Sequence, residues 1–217
     1  MRKLGTVFVI IGALLICGAL FLLLRNTSED KQAGESASTV LGGMKEAIVS
    51  EHIATEAPHL PSETEIPAEL PHVDPYNEQE VLQSYEMRVV EIDGWGYIGY
   101  LSIPKLGLEL PIMNEIDYDG LKIAPCRMTG SVKSGDMIIA GHNYSRHFGN
   151  LKELEVGDAV YFTDMDGVER MYLVSELLVL EPIDIAGMNA GVWDMTLFTC
   201  TYGGAKRVTV RLTELKG

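Results

Sequence analysis

With 217 residues, 47% of them hydrophobic, the chain has ample apolar content for a packed core and room for one domain of ordinary size plus appendages. Its formal net charge of −14 excludes a phosphate-backbone partner, because nucleic-acid binders need clustered Lys and Arg to displace counterions.

The first local signal is the run 7–24, which carries no charge and is flanked by Arg2 and Lys3 before it and Arg25 after it. That length just crosses the hydrocarbon core of a bilayer. A cleaved signal peptide is the competing reading, but its apolar region is usually shorter, and no small-residue cleavage site follows Leu24 at once. The reading adopted is an uncleaved anchor over residues 1–25. The leading basic residues, with Glu29 and Asp30 after the span, predict a cytoplasmic N-terminus, a single pass through the cell membrane and an extracytoplasmic remainder.

Residues 26–73 are rich in Ser, Thr, Glu, Ala and Pro without a sustained apolar period, and predict a disordered linker. About fifty flexible residues have an end-to-end distance on the order of 40 Å. A short helix at 44–52 is a local alternative. Residues 74–93 form a lead-in, in which Asp74 and Pro75 make a common turn pair and Tyr76 opens a helix at 77–87.

From residue 94 to 217 short apolar segments are punctuated by Gly, Pro, Asp and Asn, the texture of a strand-rich domain. Strands are predicted near 96–103, 108–112, 136–140, 159–163, 170–180, 195–200 and 207–213, enough for a closed barrel. Asp166 and Gly167 mark a hairpin, since both tolerate the positive φ of tight turns. A helical turn at 150–154 would face Leu151 and Leu154 inward, and another short helix would begin near Asp117.

The three cysteines are Cys17, Cys126 and Cys200. Cys17 lies in the apolar run and reads as filler. Outside the membrane an even pair remains, and an oxidising compartment favours a Cys126 to Cys200 disulfide. The surroundings of Cys200 offer a second reading. Thr196 to Cys200, a Gly203 and Gly204 turn, and then Arg207 to Val210 read as a hairpin that sets Cys200 opposite Arg207. A guanidinium there favours the thiolate and can receive charge developing on a carbonyl oxygen. Equally, the cysteine can be a buried hydrophobe and the arginine a surface solubiliser. A second apolar stretch, Met137 to Gly141, delivers His142 to a loop, where a histidine can exchange protons near neutral pH. His147, His52, His59 and His72 read as turn or packing residues.

Together these motifs resemble the sortase family of Gram-positive bacteria. Thr196, Leu197, Phe198, Thr199 and Cys200 match its TLxTC signature; Ala140, Gly141 and His142 match the histidine segment; Arg207, Val208, Thr209 and Val210 match the arginine strand. Gly99 to Lys105 and Leu110 to Ile112 resemble its first two strands. The resemblance runs over roughly 94–215. It implies a mainly β protein, an eight-stranded sortase β-barrel with short helices, acting as a cysteine transpeptidase on LPXTG-like C-terminal sorting signals of secreted proteins. By that analogy Cys200 is the nucleophile, His142 the proton-transfer partner, Arg207 the electrostatic clamp, and Thr199 a substrate contact. The acceptor would be an amine of a peptidoglycan precursor or a pilin.

No cofactor or catalytic metal is expected. Glu115, Asp117, Asp164 and Asp166 could hold calcium, as in some sortases, but read first as solvated surface. Asn143 stands where the family usually has arginine after its histidine. Asp74, Pro75 and Tyr76 also resemble the lid of pilin-type sortases, although the turn reading is preferred. Pilin-type members commonly carry a second apolar segment after the barrel, whereas here Gly217 follows the last strand, which points to a single-pass enzyme. Rival readings are a hydrolytic cysteine protease and a catalytically silent wall-binding ectodomain; the HxG and SxGC pattern of L,D-transpeptidases is absent.

Overall fold

The computed structural model describes residues 2–55 and 86–216. Asp74, Pro75, Tyr76 and nearly all of the helix expected at 77–87 lie outside these residues.

Helix α1 (Arg2–Thr55) opens the chain. Its first part is apolar on every side, and Phe8, Leu14, Leu15, Phe21 and Leu24 are all exposed. A helix with no polar face and no protein cover suits lipid, so this segment is a candidate membrane anchor by length and composition. The helix then continues through 26–55, where the sequence reading placed a disordered linker. Two features account for the difference. No proline occurs between residue 2 and Pro58, and Ala33, Ala37, Val40, Leu41 and Met44 fall at helical spacing and are buried. That stripe is narrow and half of it is small, so serines, threonines and glycines mask it in the sequence.

The remaining elements are short strands: β1 (Val90–Ile92), β2 (Trp95–Ile103), β3 (Leu108–Met113), β4 (Cys126–Thr129), β5 (Met137–Gly141), β6 (Ala159–Asp164), β7 (Glu169–Leu180), β8 (Met195–Cys200) and β9 (Arg207–Glu214). Their order in the sheet is β1-β2-β3-β4-β5-β8-β9-β7-β6, and β2 pairs with β6 to close the ring. Strands β2 to β9 thus make the eight-stranded barrel, with β1 as a short extension paired to β2. Closure leaves no long unpaired edge. Inward residues such as Ile98, Leu101, Ile112, Ile139, Phe162, Val174, Leu197 and Val210 fill the interior. A second apolar cluster joins Val40 and Met44 of α1 to Tyr97, Met113, Ala124, Cys126 and Met165, so the helix is part of the packed body.

Short helical elements trim the connections. The turn Leu151–Glu153 buries Leu151, with Leu154 just after it, as the sequence indicated. A turn at Gly120–Lys122 follows Asp117, whose Oδ1 accepts from the amides of Asp119 and Gly120 at 2.8 Å each. Helix α2 (Ile185–Asn189), which the sequence reading did not place, is capped by Asp184 through the Gly187 amide at 2.7 Å.

Gly99 sits where β2 changes register against β3 and also pairs with Asp164 of β6. Its φ is +151, and a Cβ there would overlap the carbonyl oxygen of Thr163. Gly107 has φ +61 but open space around it. Gly99→Ala should therefore destabilise by about 2–4 kcal/mol and Gly107→Ala by about 1 kcal/mol. Thermal unfolding of the two variants measures this. Equal losses would mean that Gly99 is needed only for its φ.

Candidate active site

The site forms around β8, which is bonded to two neighbours of opposite sense. Against parallel β5 the register runs from Met137 beside Met195 to Gly141 beside Thr199. His142 follows Gly141 directly, as Cys200 follows Thr199 on β8. Against antiparallel β9, Cys200 is paired with Arg207. Side chains alternate along a strand, so Ile138 and Ala140 share the outer face with Thr196, Phe198 and Cys200, and with Arg207, Thr209 and Arg211. Cys200 and Arg207 are thereby paired at one end of that face, and the segment carrying His142 leaves β5 at the same end.

The turn between β8 and β9 keeps that end tight. The Thr201 amide donates to the Lys206 carbonyl at 2.9 Å, and the Gly204 amide to the Thr201 carbonyl at 2.8 Å. Gly203 and Gly204 have φ of 80 and 75, a conformation that side chains with a Cβ rarely adopt. Arg207 Nη1 donates to the carbonyls of Gly204 and Lys206 at 3.1 and 3.2 Å. No carboxylate among the described residues pairs with it.

Cys200 is half-buried and Cys126 fully buried, and both are free thiols, which sets aside the disulfide reading. Cys126 packs against Met113 and Ala124, where burial pushes its thiol up to about 11. A thiol so placed is a packing residue.

His142 is half-buried at the head of a closed loop. Its carbonyl accepts from the Phe148 amide at 3.1 Å, and its ring lies 5.0 Å from that of Tyr144. Burial holds its pKa below the usual histidine value, the Lys122 cation adds to the effect, and Glu29 opposes it. Neutral imidazole is thus favoured, a form with one nitrogen free to accept a proton. His147, read as a packing residue, is fully buried between α1 and the 120–123 turn. Neither ring nitrogen has a partner in hydrogen-bond geometry, and burial pushes the ring down to about 4.

Strand alternation sets the placement of Thr199. It follows Met195 and Leu197 on the inward face and is buried, with its hydroxyl unpartnered, so its side chain does not reach the face carrying Cys200. Period-2 alternation carried this information, but the adjacency of Thr199 to Cys200 in the motif obscured it.

Arg211 was missed. It lies on the outer face opposite Thr196, buried, donating to Met188 O and Thr196 Oγ1 at 2.7 Å each and to Gly187 O. It ties the last turn of α2 to the sheet, and burial holds its pKa below the ordinary arginine value. The resulting cavity, about 310 Å³, is lined by Ile138, Thr196, Trp193, Thr129, Asp136 and Arg211. The signal was a charged residue at an alternating position among β-formers, Val208 to Leu212.

Among the described residues no group of three or more His, Cys, Asp or Glu side chains is placed to hold a metal ion. The oxygens of Asp164 are engaged by the amides of Asp166 and Val168 and by Arg170 at 2.7 Å.

Residues 101–214 match the family model described as Sortase domain. Among solved structures, sortase C1 from Streptococcus agalactiae is 30% identical, with a TM-score of 0.52 over 64% of this chain and 77% of that one. A sortase D5 transpeptidase from Clostridium perfringens is 25% identical, with a TM-score of 0.50 over 64% and 86% of the two chains. Sortase C from Streptococcus pneumoniae, at 22% identity, shares the fold with a TM-score of 0.55 over 82% and 97%. No curated protein sequence matches the chain. Because the family model covers more than half of its length and the barrel agrees with the family's solved structures, the chain belongs to the sortase family of cysteine transpeptidases.

Proposed function

We propose that the chain cleaves an LPXTG-like C-terminal sorting signal through a Cys200 thioester and transfers the protein to an amine. The observation that supports this reading is the register at β8, with Arg207 paired to Cys200 on one side and, on the other, Gly141 paired to Thr199 immediately before His142.

In this mechanism the Cys200 sulfur attacks the carbonyl carbon of the signal's threonine as a thiolate, its proton having passed to His142. Arg207 stabilises the charge that develops on the carbonyl oxygen. The carbon–nitrogen bond to the following residue then breaks, and the departing amine takes a proton from His142. An acceptor amine attacks the thioester next, loses its proton to His142 and displaces the Cys200 thiolate. Atoms and charge balance without a cofactor.

The groove floor supports the peptide reading. A strand rises about 3.3 Å per residue, so the cavity at Thr196 and Arg211 lies about 13 Å from Cys200. That is close to the reach of the extended stretch from the signal's leucine to its threonine. The barrel would work outside the cell, tethered by the apolar part of α1. The Streptococcus pneumoniae neighbour is described as having pilin substrate specificity, so a pilin amine stands beside a cell-wall precursor amine as the acceptor to test.

The testing experiment incubates the chain with sorting-peptide libraries and candidate amines and identifies products by mass spectrometry. An amine adduct at the threonine is expected. Release of the free acid alone, with every amine supplied, would replace transfer by hydrolysis.

Two substitutions test the roles. Cys200→Ala should lower turnover by about 10³-fold or more and abolish the thioester, whereas Cys126→Ala should keep turnover within about twofold. Equal losses would remove Cys200 from its role. Arg207→Lys keeps the charge but loses the planar fork of donors and should lower kcat/KM by about 10²-fold. Wild-type turnover in a folded Arg207→Lys would overturn the clamp.

A further inference from the structure

The loop that begins at His142 is closed by its own amides: Phe148 donates to His142 O at 3.1 Å, and His147 and Gly149 donate to Tyr144 O at 3.0 and 2.8 Å. Its tip, Ser145 and Arg146, is exposed and makes few bonds within the loop. The tip is held from outside. Asp30 of α1 accepts from Ser145 Oγ at 2.6 Å through one carboxylate oxygen and from the Arg146 amide at 3.2 Å through the other. Those residues are 115 and 116 positions away in sequence.

Two further observations show that this is a close-packed junction. Gly34, one helical turn after Asp30, lies so near Arg146 that a Cβ would overlap the arginine Cδ. His147, on the same loop, is completely buried, and its ring lies beside the backbones of Ala33 and Ile123. The helix therefore covers one side of the loop, with a charged acceptor at its tip and small residues where the backbones approach. Bonds to a carboxylate are stronger than neutral ones, and two of them from adjacent residues restrict both position and tilt.

We infer that Asp30 is a positioning residue: the helix leading out of the apolar segment is part of the catalytic apparatus, and it fixes the loop from which His142 acts. This rests on the reading of His142 as the proton-transfer partner. The consequence is kinetic. Proton transfer depends steeply on the placement of the transferring group, whereas the cavity proposed to take the peptide, lined by Ile138, Thr196 and Arg211, has no lining residue from α1.

The test uses the full chain in lipid nanodiscs with a sorting peptide and an amine. Asp30→Ala should lower kcat by about tenfold and leave KM within about twofold, because the loss is in positioning. Asp30→Asn keeps one acceptor and should fall between. Ser145→Ala should lower kcat several-fold, and the double variant Asp30→Ala with Ser145→Ala should be no slower than Asp30→Ala alone, since both remove one contact. Lys31→Ala, at the next position and exposed, is the control expected to keep wild-type rates.

Wild-type kcat in folded Asp30→Ala, losses that multiply in the double variant, or a change confined to KM would each overturn the inference. If Asp30→Ala does not fold, Asp30→Asn and Ser145→Ala carry the same test. His142→Ala separates the two levels: retained turnover there defeats the reading of the site itself. Loss of turnover in His142→Ala beside wild-type rates in the Asp30 and Ser145 variants defeats only the role of the helix.

Discussion

The site depends on one strand bonded in opposite senses to its two neighbours. Because β8 runs parallel to β5 and antiparallel to β9, a single register sets the end of β5 and the start of β9 beside Cys200 together. A slip of one residue on either side would turn a whole face of side chains inward, placing Val208 or Gly141 where Arg207 or His142 now stands. The buried alternation of Met195, Leu197, Val210 and Leu212 opposes such a slip. Core packing and catalytic geometry are thus the same constraint, and the tight glycine turn after Cys200 reinforces it at the end where the chemistry is assigned.

Burial then divides the chemically similar residues. Cys126 and Cys200 differ in that one is enclosed by Met113 and the body of the barrel, while the other opens on a sheet face beside a cation with no carboxylate partner among the described residues. His142 and His147 lie five positions apart on one loop. The first is half-buried and remains exchangeable, whereas the second is sealed under α1 as a shape. Removing solvent disfavours the charged imidazolium in both.

Most of the barrel was legible from alternation, because its longer strands bury one face and carry β-branched residues. Strands β1 and β4 were not. Val90–Ile92 has three residues, and Cys126–Thr129 carries an arginine and a threonine, so neither shows a period. Cys200 opposite Arg207 was legible because a two-glycine turn fixes a hairpin. The parallel pairing that brings the end of β5 to β8 joins segments more than fifty residues apart, which no local pattern encodes; the choice of His142 came from resemblance. The inward orientation of Thr199 was not legible in the motif, because a motif describes neighbours in sequence, while a strand sends neighbours to opposite faces. The course of α1 was hidden for a different reason: two of the five residues in its contact stripe are alanines, whose burial only the partner surface reveals.

The unbroken course of α1 has a mechanical consequence. From Leu24, the end of the apolar run, to Asp30 is six residues, or about 9 Å of helical rise, with no glycine or proline between them. Docked through Ala33, Ala37, Val40 and Met44, the barrel has a set height and a set rotation about the helix axis relative to that run. A swinging tether would let Cys200 sample a hemisphere of solvent. With the apolar run as the proposed anchor, a rigid strut would confine Cys200 to a thin shell, and a polypeptide substrate would have to present its scissile bond at the right altitude before any side chain of the site could read it.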